Sequence, residues 1–183
     1  EDISDIPLTG EVIKKTRVER GSDTTESVFY IGNKEIARET ISKEGQYEKN
    51  GKIPNGKVKF YDEFNNTYGE EYYKNGKRDG FSKTYYHDGR LKSEAKYKDG
   101  ILEANKEYYT SGVLRFEVDY RDARNYKNDK EVGIGKLYFP DGVLKYEWNI
   151  TNGSRIGFKK SYNRNGELRA ETYFDEKGRI IER

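Results

Sequence analysis

Cysteine and methionine are absent from the 183 residues, and histidine and tryptophan occur once each. Without cysteine the chain has no disulfide, no thiolate nucleophile and no thiolate metal site. The one histidine, His87, sits beside Asp88-Gly89 and reads as a solvent-facing turn residue. No Gly-rich phosphate loop follows a strand and opens a helix; Gly133-Ile134-Gly135 reads as the start of a hairpin. Catalytic, cofactor-binding and metal-ligating residues are therefore expected to be none, and the chain reads as non-enzymatic. No apolar run approaches the length of a membrane span. An excess of one charge is missing too. The 35 basic and 33 acidic residues are interspersed, without the basic block that marks a nucleic-acid footprint. Helix signals are also missing, because a glycine or an Asn/Asp-Gly turn interrupts nearly every stretch within about ten residues.

What is present is tyrosine, glycine and charge. Seventeen tyrosines and nineteen glycines stand in a chain that is 32% hydrophobic and 37% charged. That is too polar for a thick two-layer core and too patterned for disorder. The pattern is clearest in Gly80 to Gly100. Two polar-aromatic runs flank Asp88-Gly89, and Asp99-Gly100 closes the unit. Asp-Gly steps accept positive φ cheaply and reverse a chain between strands. Leu91, Ser93, Ala95 and Tyr97 alternate with Lys92, Glu94, Lys96 and Lys98, the period of a half-buried strand.

The unit recurs. Turn glycines stand at Gly89, Gly112, Gly142 and Gly166, at intervals of 23, 30 and 24 residues. Each carries a tyrosine four residues before it (Tyr85, Tyr108, Tyr138, Tyr162), a leucine two after it (Leu91, Leu114, Leu144, Leu168) and a glutamate five after it (Glu94, Glu117, Glu147, Glu171). Gly80, Gly133 and Gly157 open their copies, with Glu103 the exception. A lone hairpin is marginal in water, so a period in the low twenties means stacked units. The fold class expected is all-β: antiparallel hairpins of about 23–24 residues each, stacked into a thin repetitive sheet. The recurrent glutamates are expected to face lysines or arginines across adjacent strands and to accept tyrosine hydroxyls. The tightest packing is expected around Trp148, between the Leu114 and Leu144 units.

The ends and the long interval depart from the pattern. Residues 1–30 read as a lead-in and a degenerate hairpin that caps the array, and 31–183 as the array itself. An insertion near 121–132 fills the 30-residue interval. Insertions in repeat arrays map to loops that are often the binding face. Arg121, Arg124, Tyr126 and Lys127 from that loop, with Tyr86 and Tyr109 from the turns, are the candidate partner-binding residues. The chain begins Glu1-Asp2-Ile3, so a preceding segment such as a signal peptide is expected to have been removed. That favours a secreted or envelope location, with the cytoplasm as the alternative. Open sheet edges are expected to allow self-association.

The pattern Gly-(x)4-Tyr-Tyr-x-x-Gly-x-Leu-x-x-Glu-x-x-Tyr-x-x-Gly resembles MORN repeats, and most of all their bacterial variant. Gly80, Tyr85, Tyr86, Gly89, Leu91, Glu94, Tyr97 and Gly100 match it in one unbroken unit. The resemblance implies an elongated, twisted array of antiparallel hairpins without a large globular core that mediates protein–protein contact, which the chain's start places at the bacterial cell envelope or outside it. It also implies, as alternatives, an antitoxin-like subunit that neutralises a toxin and a binder of lipid headgroups, and the tyrosine row adds glycan binding through a tyrosine-rich face, since aromatic rows can stack rings. No nucleic-acid partner and no cofactor are expected.

Overall fold

The computed structural model describes residues 10–18, 23–62, 67–120, 132–151, 154–175 and 177–181. Fifteen strands and no helix occur among them. They are β1 (Val12–Val18), β2 (Thr24–Ile31), β3 (Lys34–Ser42), β4 (Tyr47–Gly51), β5 (Gly56–Asp62), β6 (Thr67–Lys74), β7 (Lys77–Tyr85) and β8 (Leu91–Lys98). Then follow β9 (Ile101–Tyr108), β10 (Leu114–Asp119), β11 (Val132–Tyr138), β12 (Leu144–Thr151), β13 (Ser154–Tyr162), β14 (Leu168–Phe174) and β15 (Ile180–Ile181). All belong to one open sheet, in the order β15 down to β5 and then β1-β2-β3-β4. Each pair of neighbours is antiparallel except β1–β5, which is parallel. The array of hairpins expected from the repeats is therefore the fold.

Among the described residues of β6–β14, two kinds of turn join the strands, one on each side of the ribbon. At Gly89, Gly112, Gly142 and Gly166 the glycine φ is +84°, +84°, +88° and +84°. In each, the glycine amide donates to the carbonyl three residues back, as from Gly89 to Tyr86 at 2.9 Å. This is a turn closed by a left-handed glycine, and Asp88 itself does not need positive φ. Asp88 and Asp141 instead accept the amide two residues on, from Arg90 at 3.0 Å and Val143 at 3.1 Å. On the opposite side Asn75-Gly76 and Asp99-Gly100 place both residues at positive φ, the tight two-residue hairpin turn.

The four repeat leucines occupy one register position: Leu91, Leu114, Leu144 and Leu168 face Tyr85, Tyr108, Tyr138 and Tyr162. A register shift follows each pair immediately. It inserts one extra residue, so the alternation counted from Leu91 through Ser93 and Ala95 is broken at its first step. Leucine belongs with the tyrosine row and not with the buried row of Ala95 and Trp148.

The N-terminal end differs from expectation. The β1–β2 hairpin does not cap the sheet: β1 lies inside it, between β5 and β2, and β4 forms the edge. β4 and β5 are four strand spacings apart, about 19 Å on a flat sheet. The five peptide steps from Gly51 to Gly56 reach at most about 18 Å. The sheet therefore curls, and the crossing segment buries Ile53, which is 1% exposed. Phe29, Ala37, Val12, Val58 and Tyr73 complete this cluster, with Tyr73 edge-on to Phe29 at 5.6 Å. The largest fully buried side chains, Phe29, Ile53 and Val58, are all here and not around Trp148. A second cluster of Val118, Trp148 and Ile150 does form where the sequence indicated, with Phe116 stacked on Trp148 at 6.0 Å. Gly135 makes room for that indole, since a Cβ there would lie 2.7 Å from it.

Candidate interaction surface

Strand alternation gives the array two faces. One carries a single row across ten strands: Lys59, Glu70, Lys83, Glu94, Lys106, Glu117, Lys136, Glu147, Lys160 and Glu171 are successive cross-strand partners. The sign alternates at every step. Ion pairs close at 3.1 Å between Lys83 and Glu94, 3.6 Å between Lys160 and Glu171, and 3.9 Å between Lys136 and Glu117. Opposite charges across strands contribute about 0.2–1 kcal/mol per pair, and the row as a whole is neutral. The four recurrent glutamates are therefore internal partners of lysines, as the sequence suggested. Tyr138 also donates to Glu117 at 2.6 Å. Burial, then that bond to a carboxylate, push the Tyr138 phenol above its ordinary value.

Tyr61, Tyr72, Phe81, Ile101 and Ile134 share the face of this row by alternation, and all are 40–46% exposed. Large apolar side chains thus flank a neutral charged stripe. The opposite face holds the Val118–Trp148 cluster and small residues such as Ser82 and Ala95.

The turn tyrosines make a third row. Tyr68 donates its hydroxyl to the Tyr86 carbonyl at 2.8 Å, Tyr86 to Tyr108 at 2.6 Å, and Tyr109 to Tyr138 at 2.8 Å. Each hydroxyl staples one hairpin to a later one. Tyr86 and Tyr109, two of the candidate partner-binding residues, are half-buried and spend their hydroxyls in this ladder. Arg121, Arg124, Tyr126 and Lys127 lie outside the described residues. The strands on either side of them, β10 and β11, are directly paired. His87 sits exposed in its turn, and no cluster able to hold a metal ion occurs among the described residues.

Sequence reasoning missed a groove of about 480 Å³ near the C-terminal end, lined by Phe139, Lys145, Tyr146, Lys159, Ser161, Tyr162, Arg169, Ala170 and Thr172. Lys145 lies over the Phe139 and Tyr146 rings at 5.3 and 5.4 Å, and Lys159 over Tyr146 at 4.6 Å. A signal existed. Phe139 stands where Tyr86 and Tyr109 stand in their copies, so the hydroxyl ladder stops there. Lys159 stands where Ser82, Asn105 and Gly135 stand.

A family model described as the MORN repeat variant matches residues 78–99, 104–122 and 131–152. Residues 78–152 thus carry three MORN-variant repeats. Each matched segment is one hairpin with its left-handed glycine turn: β7–β8, β9–β10 and β11–β12. The β13–β14 hairpin lies beyond the matches yet repeats their turn at Gly166. MORN repeats are non-enzymatic modules that bind proteins or membranes. No helix among the described residues is long and apolar enough to cross a membrane. No curated protein matches the chain.

Proposed function

We propose that this protein is a non-enzymatic docking platform whose partner is another protein, held on the face of the neutral charge row. One observation carries the reading: Tyr61, Tyr72, Phe81, Ile101 and Ile134 are exposed together beside ten self-compensating charges. Apolar anchors set in a polar surround are the make-up of a protein interface. A neutral stripe gives an anionic lipid surface or nucleic acid little to hold. The apolar anchors supply the affinity, and the fixed order of lysine and glutamate supplies the register.

The test is capture of a partner from the source cell with the array as bait, followed by rebinding of the purified pair. Phe81→Asp and Ile134→Asp should each weaken rebinding at least tenfold while circular-dichroism melts stay unchanged. Rebinding unaffected by both substitutions would remove this face from the interface. Binding to vesicles or to an arrayed glycan, with no protein retained, would replace the reading with the lipid or glycan one.

A further inference from the structure

We infer that the groove over β12–β14 is a second binding site, on the opposite face, and that it takes an acidic segment of extended peptide. Lys145, Lys159 and Arg169 line it, and none has a carboxylate within 4.0 Å among the described residues. This is the reverse of the lysine row on the other face, where glutamates stand between the lysines. Two of the three charges are held in place by aromatic rings and not by acids: Lys145 over Phe139 and Tyr146, Lys159 over Tyr146. A cation fixed over a ring keeps its charge available to a ligand. Arg164 lies over the other ring of the set, Phe139, at 5.2 Å, and its one described acidic partner, Asp141, is 3.4 Å away. The groove is thus a local positive field on a chain that is nearly neutral overall.

The shape points to a peptide. The floor is small: Ser161 and Ala170 are cross-strand partners there. One wall is β14, which supplies Arg169, Ala170 and Thr172. β15 pairs with β14 only at Tyr173 and Phe174. From Leu168 to Thr172 the outer side of β14 pairs with no described strand. An incoming strand can therefore take backbone hydrogen bonds from β14, while every second side chain turns onto the groove face. Acidic side chains in those positions meet Arg169 and Lys159. A compact anion would use the charges but not the edge of β14.

The site stands apart from the docking face proposed above, so each can fail alone. The probe is a fluorescent eight-residue peptide of alternating glutamate and threonine, read by anisotropy on the full chain. It should bind, and the affinity should fall steeply with salt. Lys159→Gln with Arg169→Gln should weaken it at least tenfold, whereas Lys34→Gln at the far end should not change it. Methylating alternate backbone amides of the probe should also weaken it at least tenfold. The doubly reversed variant, Lys159→Glu with Arg169→Glu, should instead bind the matching lysine–threonine peptide, which guards against mere misfolding. Equal binding by the methylated probe, no effect of the paired substitutions, or preference for phosphatidylserine vesicles over the peptide would each overturn the inference. Loss of partner rebinding in Phe81→Asp with this peptide still bound separates the two sites.

Discussion

The two ends of this sheet are built from the same element by different means. In β7–β14 each strand pairs with its sequence neighbour, and the core is a thin layer on one face, around Val118, Trp148 and Ile150. In β1–β6 the chain leaves β4 and crosses to β5 across three other strands, so the sheet curls and Phe29, Ile53 and Val58 become fully buried. A repeat array builds stability locally and repeats it. The curled end depends on contacts between residues far apart in sequence. It also admits a buried charge: Glu71, 2% exposed, pairs with Lys14 and accepts the Tyr73 hydroxyl at 2.7 Å. The array faces its charges outward, where water screens them.

The largest test of this contrast is truncation of one aromatic at each end. Phe29→Ala should cost about 4 kcal/mol, because the cavity is closed on all sides and cannot relax. Trp148→Ala should cost about 3 kcal/mol, since a one-sided core lets solvent and neighbours fill the gap. Urea melts of the two variants give the comparison. The C-terminal hairpins should keep their hydrogen-exchange protection in Phe29→Ala, because repeat units couple mainly to their neighbours. Equal costs, or loss of protection throughout, would mean that the two ends form one cooperative core.

The buried pair comes next. Glu71→Gln leaves the Lys14 ammonium without its acid and should cost about 3 kcal/mol. Replacing both partners with methionine, in a Tyr73→Phe background that removes the hydroxyl Glu71 accepts, should recover most of that loss, because the penalty lies in the unpaired charge and not in the missing attraction. If the double variant is as weak as the single one, the pair contributes attraction of its own beyond compensation. No exposed pair of the lysine–glutamate row should show a penalty near this size.

Alkaline pH distinguishes the ends less sharply. Burial, then the Glu71 charge, raise the Tyr73 phenol, and burial with the Glu117 bond raises Tyr138. A phenol whose folded value is raised supports the fold fully below its unfolded value, near 10, and that support is lost as pH rises further. Stability should therefore hold to about pH 9 and decline above 10. Tyr138→Phe should flatten part of that decline, and Tyr73→Phe a larger part, because Tyr73 is the more deeply buried. A decline of equal slope in both variants would show that other groups set it.

Most of the array was legible before any coordinates. Gly89, Gly112, Gly142 and Gly166 announce turns because the conformation there excludes side chains, so the residue reports the backbone. Glu94 and its equivalents announce the charge row because the register between adjacent hairpins is fixed by those turns. The leucine bulge was hidden, since an extra residue in one strand leaves no mark on residue type. The curl was hidden for a stronger reason. Val12 meets Val58, and Phe29 meets Tyr73, only after β1 inserts beside β5. No local pattern encodes that pairing. The groove lay between these cases: Phe139 and Lys159 are visible as substitutions within the repeat, but only the fold brings them to one place.

The smallest effect bears on the hydroxyl staples that run along the array from Tyr68 to Tyr109. Tyr109→Phe removes a hydroxyl that reaches the Tyr138 carbonyl at 2.8 Å and should cost about 1 kcal/mol, the net worth of one hydrogen bond. Phe139 is the same change made by the chain itself, and the β13–β14 hairpin folds beside it without that bond. Its replacement by tyrosine should therefore extend the ladder by one rung, toward the Tyr162 carbonyl, and add stability of about the same size. The added hydroxyl would also disturb the ring under Lys145, so the acidic peptide should bind Phe139→Tyr more weakly than the unaltered chain. If the substitution adds stability without weakening the peptide, the end of the ladder and the groove are separate features. If it does both, the chain has given up one hydrogen bond at the place where it keeps its positive charges open.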